Sequence, residues 1–230
     1  MLAGTFLPFF LFFWQAPTNN SSDLEKARDA QDRGALERYS SQFAAAAAKQ
    51  PNDAQALYRQ ALAQSYLAEI AVETGDKNLA RSSAESGIKV AERAIAQKSE
   101  NAEYHRVLGT LCGQAVSANL LTGLKYGRCA QEEVNKAVQL DPKAAINYVS
   151  RGVGNYYLPA GMGGGPEAAI KDFEKAIELD PRLAEAHLWL GIALRKANRN
   201  AEAHKELEKA VNLNPARAWG KQQLAKTPGA

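Results

Sequence analysis

With two cysteines, two methionines and three histidines in 230 residues, the sequence has little to offer a metal. Two cysteines without CxxC spacing and scattered histidines cannot supply four zinc ligands. No Gly-x-Ser-x-Gly, His-Glu-x-x-His or glycine-lysine phosphate loop occurs. Paired acids such as Glu132 and Glu133 read as surface helix residues, and nothing sets a base beside a nucleophile. A non-catalytic protein without cofactor is expected. β-Branched runs of strand length are missing, which excludes all but a trace of sheet. A basic block is missing too: 28 Lys+Arg against 25 Asp+Glu give +3 without clustering. Displacing counterions from a nucleic acid needs a clustered stripe, so no nucleic-acid partner is expected.

What the sequence does have is helix-favouring material, 46% hydrophobic and 23% charged, in a chain long enough to bury a core. Its organising stretch is Ala168 to Pro215. Pro181 and Pro215 stand 34 residues apart. Ala169, Phe173 and Ala176 precede the first, and Ala203, Leu207 and Ala210 precede the second. His187, Leu190 and Gly191 fill the opening positions of the last unit. On these residues the chain resembles the tetratricopeptide repeat (TPR) family. The resemblance implies an all-α superhelical solenoid of about five helical hairpins with a C-terminal capping helix.

Phasing back from each Pro or its equivalent gives repeats 20–53, 54–101, 102–144, 145–183 and 184–217, after an apolar segment 1–16 and a linker 17–22. Their lengths are 34, 48, 43, 39 and 34 residues. The extra residues fall between the Gly-like position of the first helix and the small residue of the second. They are expected to raise a lip over repeats 2 to 4. Gly109, Gly152 and Gly191 are expected to face Ala130, Ala169 and Ala203, where two backbones approach closely. Residues 218–230 read as a capping helix carrying Trp219 and Leu224, followed by a frayed tail.

Pro159 to Pro166 is a glycine-rich turn leading into a helix, a form that can cradle phosphate. Lys-Ser/Thr is missing, however, and Glu167 in the first turn would repel an anion, so a structural hairpin tip is expected. Tyr-Tyr-Leu-Pro followed by this tip is also similar, over about 30 residues, to periplasmic TPR proteins such as the T-component of TRAP-type transporters. His105 and His187 occupy a packing position and are expected to be structural, while His204 is expected in solvent. Cys112 and Cys129 lie 17 apart on two arms of one hairpin. In an exported protein they would form a disulfide worth on the order of 3 kcal/mol; the alternative is two buried thiols.

Leu2 to Trp14 is an uncharged apolar run, shorter than the ~18 residues of a membrane-spanning helix. Its length suits the core of a secretory signal. Against this, no Lys or Arg precedes it, and Trp14 and Pro17 flank the cleavage point after Ala16 poorly. Export to a periplasm or envelope is expected, with a membrane anchor at residues 2–16 or a self-docking arm as alternatives.

The family resemblance places ligands in the concave groove lined by the first helix of each pair. There the phasing collects Tyr58, Arg59, Tyr66, Arg106, Tyr156, Tyr157 and Arg195 as contacts, among aliphatic neighbours such as Leu62, Val149, Leu188 and Ile192. Tyr58 and Leu62 replace the Lys and Asn of a carboxylate clamp, which excludes binding of a chaperone tail. The expected function is a protein-interaction or scaffolding module holding an apolar peptide or helix. Alternatives are a periplasmic carrier of a small apolar solute and a structural assembly unit. A further alternative is that the C-terminal cap or the N-terminus covers the strip.

Overall fold

The computed structural model describes residues 21–118 and 120–229. The apolar run and its expected roles lie outside the described residues. Five antiparallel hairpins follow one another: α1 Ser21–Asp29 with α2 Arg33–Lys49, α3 Ala54–Thr74 with α4 Lys77–Gln97, α5 Ala102–Ala118 with α6 Gly123–Leu140, α7 Ala145–Tyr157 with α8 Pro166–Leu179, and α9 Ala184–Lys196 with α10 Asn200–Leu213. Helix α11, Ala218–Ala225, caps the last hairpin, and no strand occurs among the described residues. The fold is an all-α solenoid.

Local chemistry sets the helix ends. Asp32, Asp53 and Asp76 accept hydrogen bonds from the backbone N–H of Ala35, Gln55 and Leu79, satisfying donors that a helix start leaves free. Gly75, at φ 82°, ends α3 in the left-handed conformation. Between repeats, the fourth residue of the first helix reaches back to the preceding turn. His105 Nε2 donates to the Ser99 carbonyl at 2.7 Å, Tyr148 Oη to Pro142 at 3.1 Å, and His187 Nε2 to Pro181 at 3.1 Å. The other ring nitrogen of each histidine meets a carboxylate, Glu133 at 2.5 Å and Glu206 at 2.6 Å. These histidines tie each first helix to the turn before it and to the second helix after it. Glu133 is thereby a hairpin contact rather than a purely surface acid.

Each glycine of the seam receives the large residue of the facing helix, not its small one. A Cβ on Gly152 would lie 2.5 Å from Phe173 Cε1, and one on Gly191 would lie 2.6 Å from Leu207 Cγ. On Gly109 it would meet Val134, including its backbone nitrogen at 2.9 Å. The expected pairing with Ala130, Ala169 and Ala203 is corrected accordingly, although Gly191 also approaches the Ala203 carbonyl at 3.0 Å. The alanines lie one turn earlier, leaving room for the Phe-like knob to enter the glycine gap.

The inserted residues behave in two ways. In repeat 2 they lengthen both helices to 21 residues, and in repeat 3 they give helices of 17 and 18. In repeat 4, α7 and α8 keep 13 and 14 residues, as α9 and α10 do, and the surplus forms the turn 158–165. The expected lip therefore rises over repeats 2 and 3 only. Gly163 and Gly165 have φ of 86° and 97°, and a Cβ on Gly164 would collide with the Leu158 carbonyl oxygen, so this run could not continue a helix. Its N–H groups donate to Ala160, Pro159 and Asn155 carbonyls, which leaves none of them aimed at an anion.

Cys112 on α5 and Cys129 on α6 are joined, with Cα atoms 6.0 Å apart. The tail after α11 is fastened down. Thr227 is buried, and its carbonyl accepts from His204 Nδ1 at 2.6 Å, so neither a frayed end there nor a solvated His204 holds.

Helix α5 offers an internal comparison of glycines. Gly109→Ala should cost about 1–3 kcal/mol, because backbone of α6 must move. Gly113→Ala meets nothing within 4 Å and should be neutral or stabilising by up to about 1 kcal/mol. Urea midpoints of the two variants check this.

Candidate functional site

The first helices α3, α5, α7 and α9 line the concave face, as the helical phase requires: residues 58, 62, 66, 69 and 73 share one side of α3. Tyr58 donates its hydroxyl to Glu103 at 2.9 Å, and Arg106 grips the same carboxylate with two bonds of 2.6 Å. Burial alone would weaken the charge of the Arg106 guanidinium; the Glu103 carboxylate reverses that and holds it raised. Burial likewise pushes the Tyr58 and Tyr66 hydroxyls up. The Tyr66 ring faces the guanidinium of Arg28, 5.1 Å from its centroid. Tyr58, Tyr66 and Arg106 thus belong to one interior network.

Tyr156 and Tyr157 form a second group. Their rings meet edge to face at 5.0 Å and contact Trp189 at 5.8 and 6.3 Å. Trp189 in turn reaches Trp219 at 5.1 Å, and Lys196 Nζ lies 4.0 Å over Tyr156. Tyr157 remains 50% exposed at this corner, against 2–4% for Leu62, Val149, Leu188 and Ile192. The aliphatic strip is covered; in repeat 5 Trp219 and Leu224 of the cap pack over Leu188 and Ile192.

The remaining two expected contacts sit elsewhere. Arg195 donates to Thr227 Oγ1 at 2.6 Å and Gln223 Oε1 at 2.7 Å, fastening the cap. Arg59 is exposed along a cleft of about 620 Å³ between α2 and α3, with Phe43, Ala45 and Lys49 opposite.

One ionic cluster was not anticipated. Arg217, 3% exposed, donates from Nε to Glu185 at 2.9 Å and from Nη2 to Glu69 at 2.7 Å and to Glu73. Arg28 bridges Asp29 at 2.7 Å and Glu185 at 3.4 Å. Asn214 donates to Asp29 at 2.8 Å, and Gln222 to Gln31 at 3.0 Å. These bonds join α10, α11 and α9 to α1 and α3, so the two ends of the solenoid meet. Glu69 and Glu73 fall in the last turns of α3, 15 and 19 positions past its start. A 13-residue helix such as α9, about 20 Å long, has no such positions. The spacing from Tyr66 was readable in sequence, but nothing local announced a partner 144 residues away.

Comparison with known proteins first gives the class. TPR family models match residues 164–196 and 184–217. The chain resembles a thermophilic TPR protein from Thermus thermophilus, with TM-score 0.62, 20% identity, and coverage of 88% of this chain and 97% of that one. TPR proteins bind protein or peptide partners. The family described as regulator of microtubule dynamics protein 1-3 matches residues 23–158, more than half the chain, and the chain belongs to it. That match ends where the glycine-rich turn begins.

Regulator of microtubule dynamics protein 3 from Bos taurus is 27% identical over 174 residues, covering 68% of this chain and 36% of the relative. Small glutamine-rich tetratricopeptide repeat-containing protein 2 from Mycosarcoma maydis is 30% identical over 100 residues, covering 44% and 27%. The chain spans roughly a third of the length of the curated relatives it matches.

The family assignment overturns the expected export to a periplasm or envelope. The microtubule-named relatives come from Bos taurus, Rattus norvegicus and Mus musculus, animals whose cells have no periplasm. The periplasmic carrier falls with that location. No helix among the described residues is long and apolar enough to cross a membrane.

The different placements of two neighbouring residues are testable. Tyr58→Phe should lower stability by about 0.5–1.5 kcal/mol through its lost bond to Glu103. Arg59→Ala should stay within about 0.5 kcal/mol of the parent. Chemical denaturation of both variants measures the difference.

Proposed function

We propose that the chain is a non-catalytic protein-interaction module that acts on microtubule dynamics, as its relatives are named to do. Its contact surface is the aromatic corner of Tyr156, Tyr157 and Trp189. The carrying observation is the half-exposed Tyr157 ring beside Trp189, in contrast to the buried aliphatic residues Leu62, Val149, Leu188 and Ile192. Aromatic side chains backed by a rigid surface are the residues on which interfaces concentrate their binding energy. An apolar segment of a partner, a short peptide or one face of a helix, suits this corner better than a charged tail. Carriage of a small apolar solute has less support, because the Arg217 cluster and the aromatic rings take up the interior. No particular contact favours a purely structural assembly unit.

Co-sedimentation of the purified chain with stabilised microtubules, alongside growth and catastrophe rates, tests this reading. Saturable pelleting and altered dynamics are expected, with Tyr157→Ala weakening binding by at least about tenfold. Absence of pelleting together with unchanged dynamics, or unimpaired binding by Tyr157→Ala, would overturn it.

A further inference from the structure

The closure has more negative than positive charge. Four carboxylates, Asp29, Glu69, Glu73 and Glu185, surround two guanidiniums, Arg28 and Arg217. Side-chain exposure is 3% for Arg217 and Glu73, 11–13% for Asp29, Glu185 and Arg28, and 24% for Glu69. Two surplus negative charges in so little water are costly, and a proton on one acid relieves part of that cost. The groups come from separate segments: α1 supplies Arg28 and Asp29, α3 the two glutamates, α9 Glu185, and the linker before α11 Arg217. Gln31 Nε2 donates to Glu73 at 2.7 Å, adding a neutral partner from the α1–α2 turn. Tyr66 on α3 and Tyr157 on α7 also face the cluster electrostatically, with Glu25 of α1 and Arg106 of α5 beyond Tyr66.

We propose that this cluster is a proton-operated clasp: one proton on Glu69 of α3 offsets the surplus negative charge and holds the two ends of the solenoid together. Its loss loosens α9–α11 from α1–α3 and opens the concave face. The regulatory purpose rests on reading that face as the partner surface; the clasp itself does not.

Burial pushes Glu69 up to about 7 against the pull of Arg28 and Arg217, and raises Glu73 against the pull of Arg217. In an open chain a carboxyl facing water ionises near 4.5. Closing therefore takes up a proton between about 4.5 and about 7. That contribution is fully present below this window and is lost as pH rises through it. Glu185 acts in the other direction. Burial would raise it, but Arg217 and Arg28 hold it lowered, so its contribution is lost when pH falls below the ordinary carboxylate range. The clasp is tightest in mildly acid solution and loosens on either side.

Energy transfer between dyes on encoded non-natural residues replacing Lys26 of α1 and Lys221 of α11 reads the closure and leaves both cysteines untouched. At pH 5 a single high-transfer state is expected, and at pH 8 a second, low-transfer population. Glu69→Gln imitates the protonated acid and should reduce that open population at pH 8 by about tenfold. Arg217→Ala should give the open state at both pH values while keeping its helical circular dichroism. Identical transfer at pH 5 and pH 8, or more opening in Glu69→Gln, would overturn the clasp. No microtubule is present in this measurement. Failure of microtubule binding therefore leaves a responsive clasp standing, and an unresponsive clasp leaves binding at the Tyr157 corner standing.

Discussion

The buried guanidinium of Arg217 is the constraint on which the shape of this molecule depends. A TPR solenoid is a one-dimensional stack in which each hairpin touches its neighbours, and its ends are ordinarily free. Here one side chain before the cap satisfies carboxylates from α3 and α9 together, turning a stack into a closed superhelix. Burial makes the arrangement demanding, because removing a guanidinium leaves the surrounding carboxylates uncompensated in low dielectric. Closure also decides what the concave face can present. Tyr58, Tyr66 and Arg106 are committed to interior partners, and the exposed aromatic surface is reduced to the corner around Tyr157.

The unequal hairpins explain how the closure is reached. Helix α3 outlasts α7 and α9 by eight residues, and its final turns carry the acids that meet Arg217. The smaller excess in repeat 3, whose helices have 17 and 18 residues, is stapled by the Cys112–Cys129 bridge between its two arms. In repeat 4 the surplus residues include Gly163 and Gly165 with positive φ, and they fold into a turn whose glycine N–H groups donate to the carbonyls of Ala160, Pro159 and, on α7, Asn155. Insertion length alone did not separate these cases. Residue type did, because Gly163, Gly164 and Gly165 were readable as helix-breaking while the inserted residues of α3 were helix formers.

The repeat plan was legible because Pro181 and Pro215 are 34 residues apart and Leu-Gly, Ala and Phe-like residues recur at fixed offsets. Which residue fills the glycine gap was not: spacing identifies a close approach but not whether Phe173 or Ala169 enters it. The site was legible only in part for a similar reason. Tyr156 and Tyr157 stand on the side of α7 that meets Trp189 of α9. Arg195 of α9 is claimed by Gln223 and Thr227 of the cap, a contact no helical periodicity encodes. Nothing local in the sequence marks Arg28, Glu69, Glu73 and Glu185 as a cluster, because Arg217 and Glu185 lie more than 100 residues from α1 and α3. The apolar run at residues 2–14 suggested a destination that family membership overturned, since hydrophobicity alone does not specify an address.

The most direct test of the closure is a double-mutant cycle between Arg217 and Glu73, using Arg217→Ala, Glu73→Ala and the combined variant in equilibrium unfolding. Closure predicts a coupling energy of about 1–3 kcal/mol between these residues, the combined variant losing less than the sum of the single ones. Additivity within about 0.5 kcal/mol would contradict it, leaving an open solenoid whose two ends do not interact.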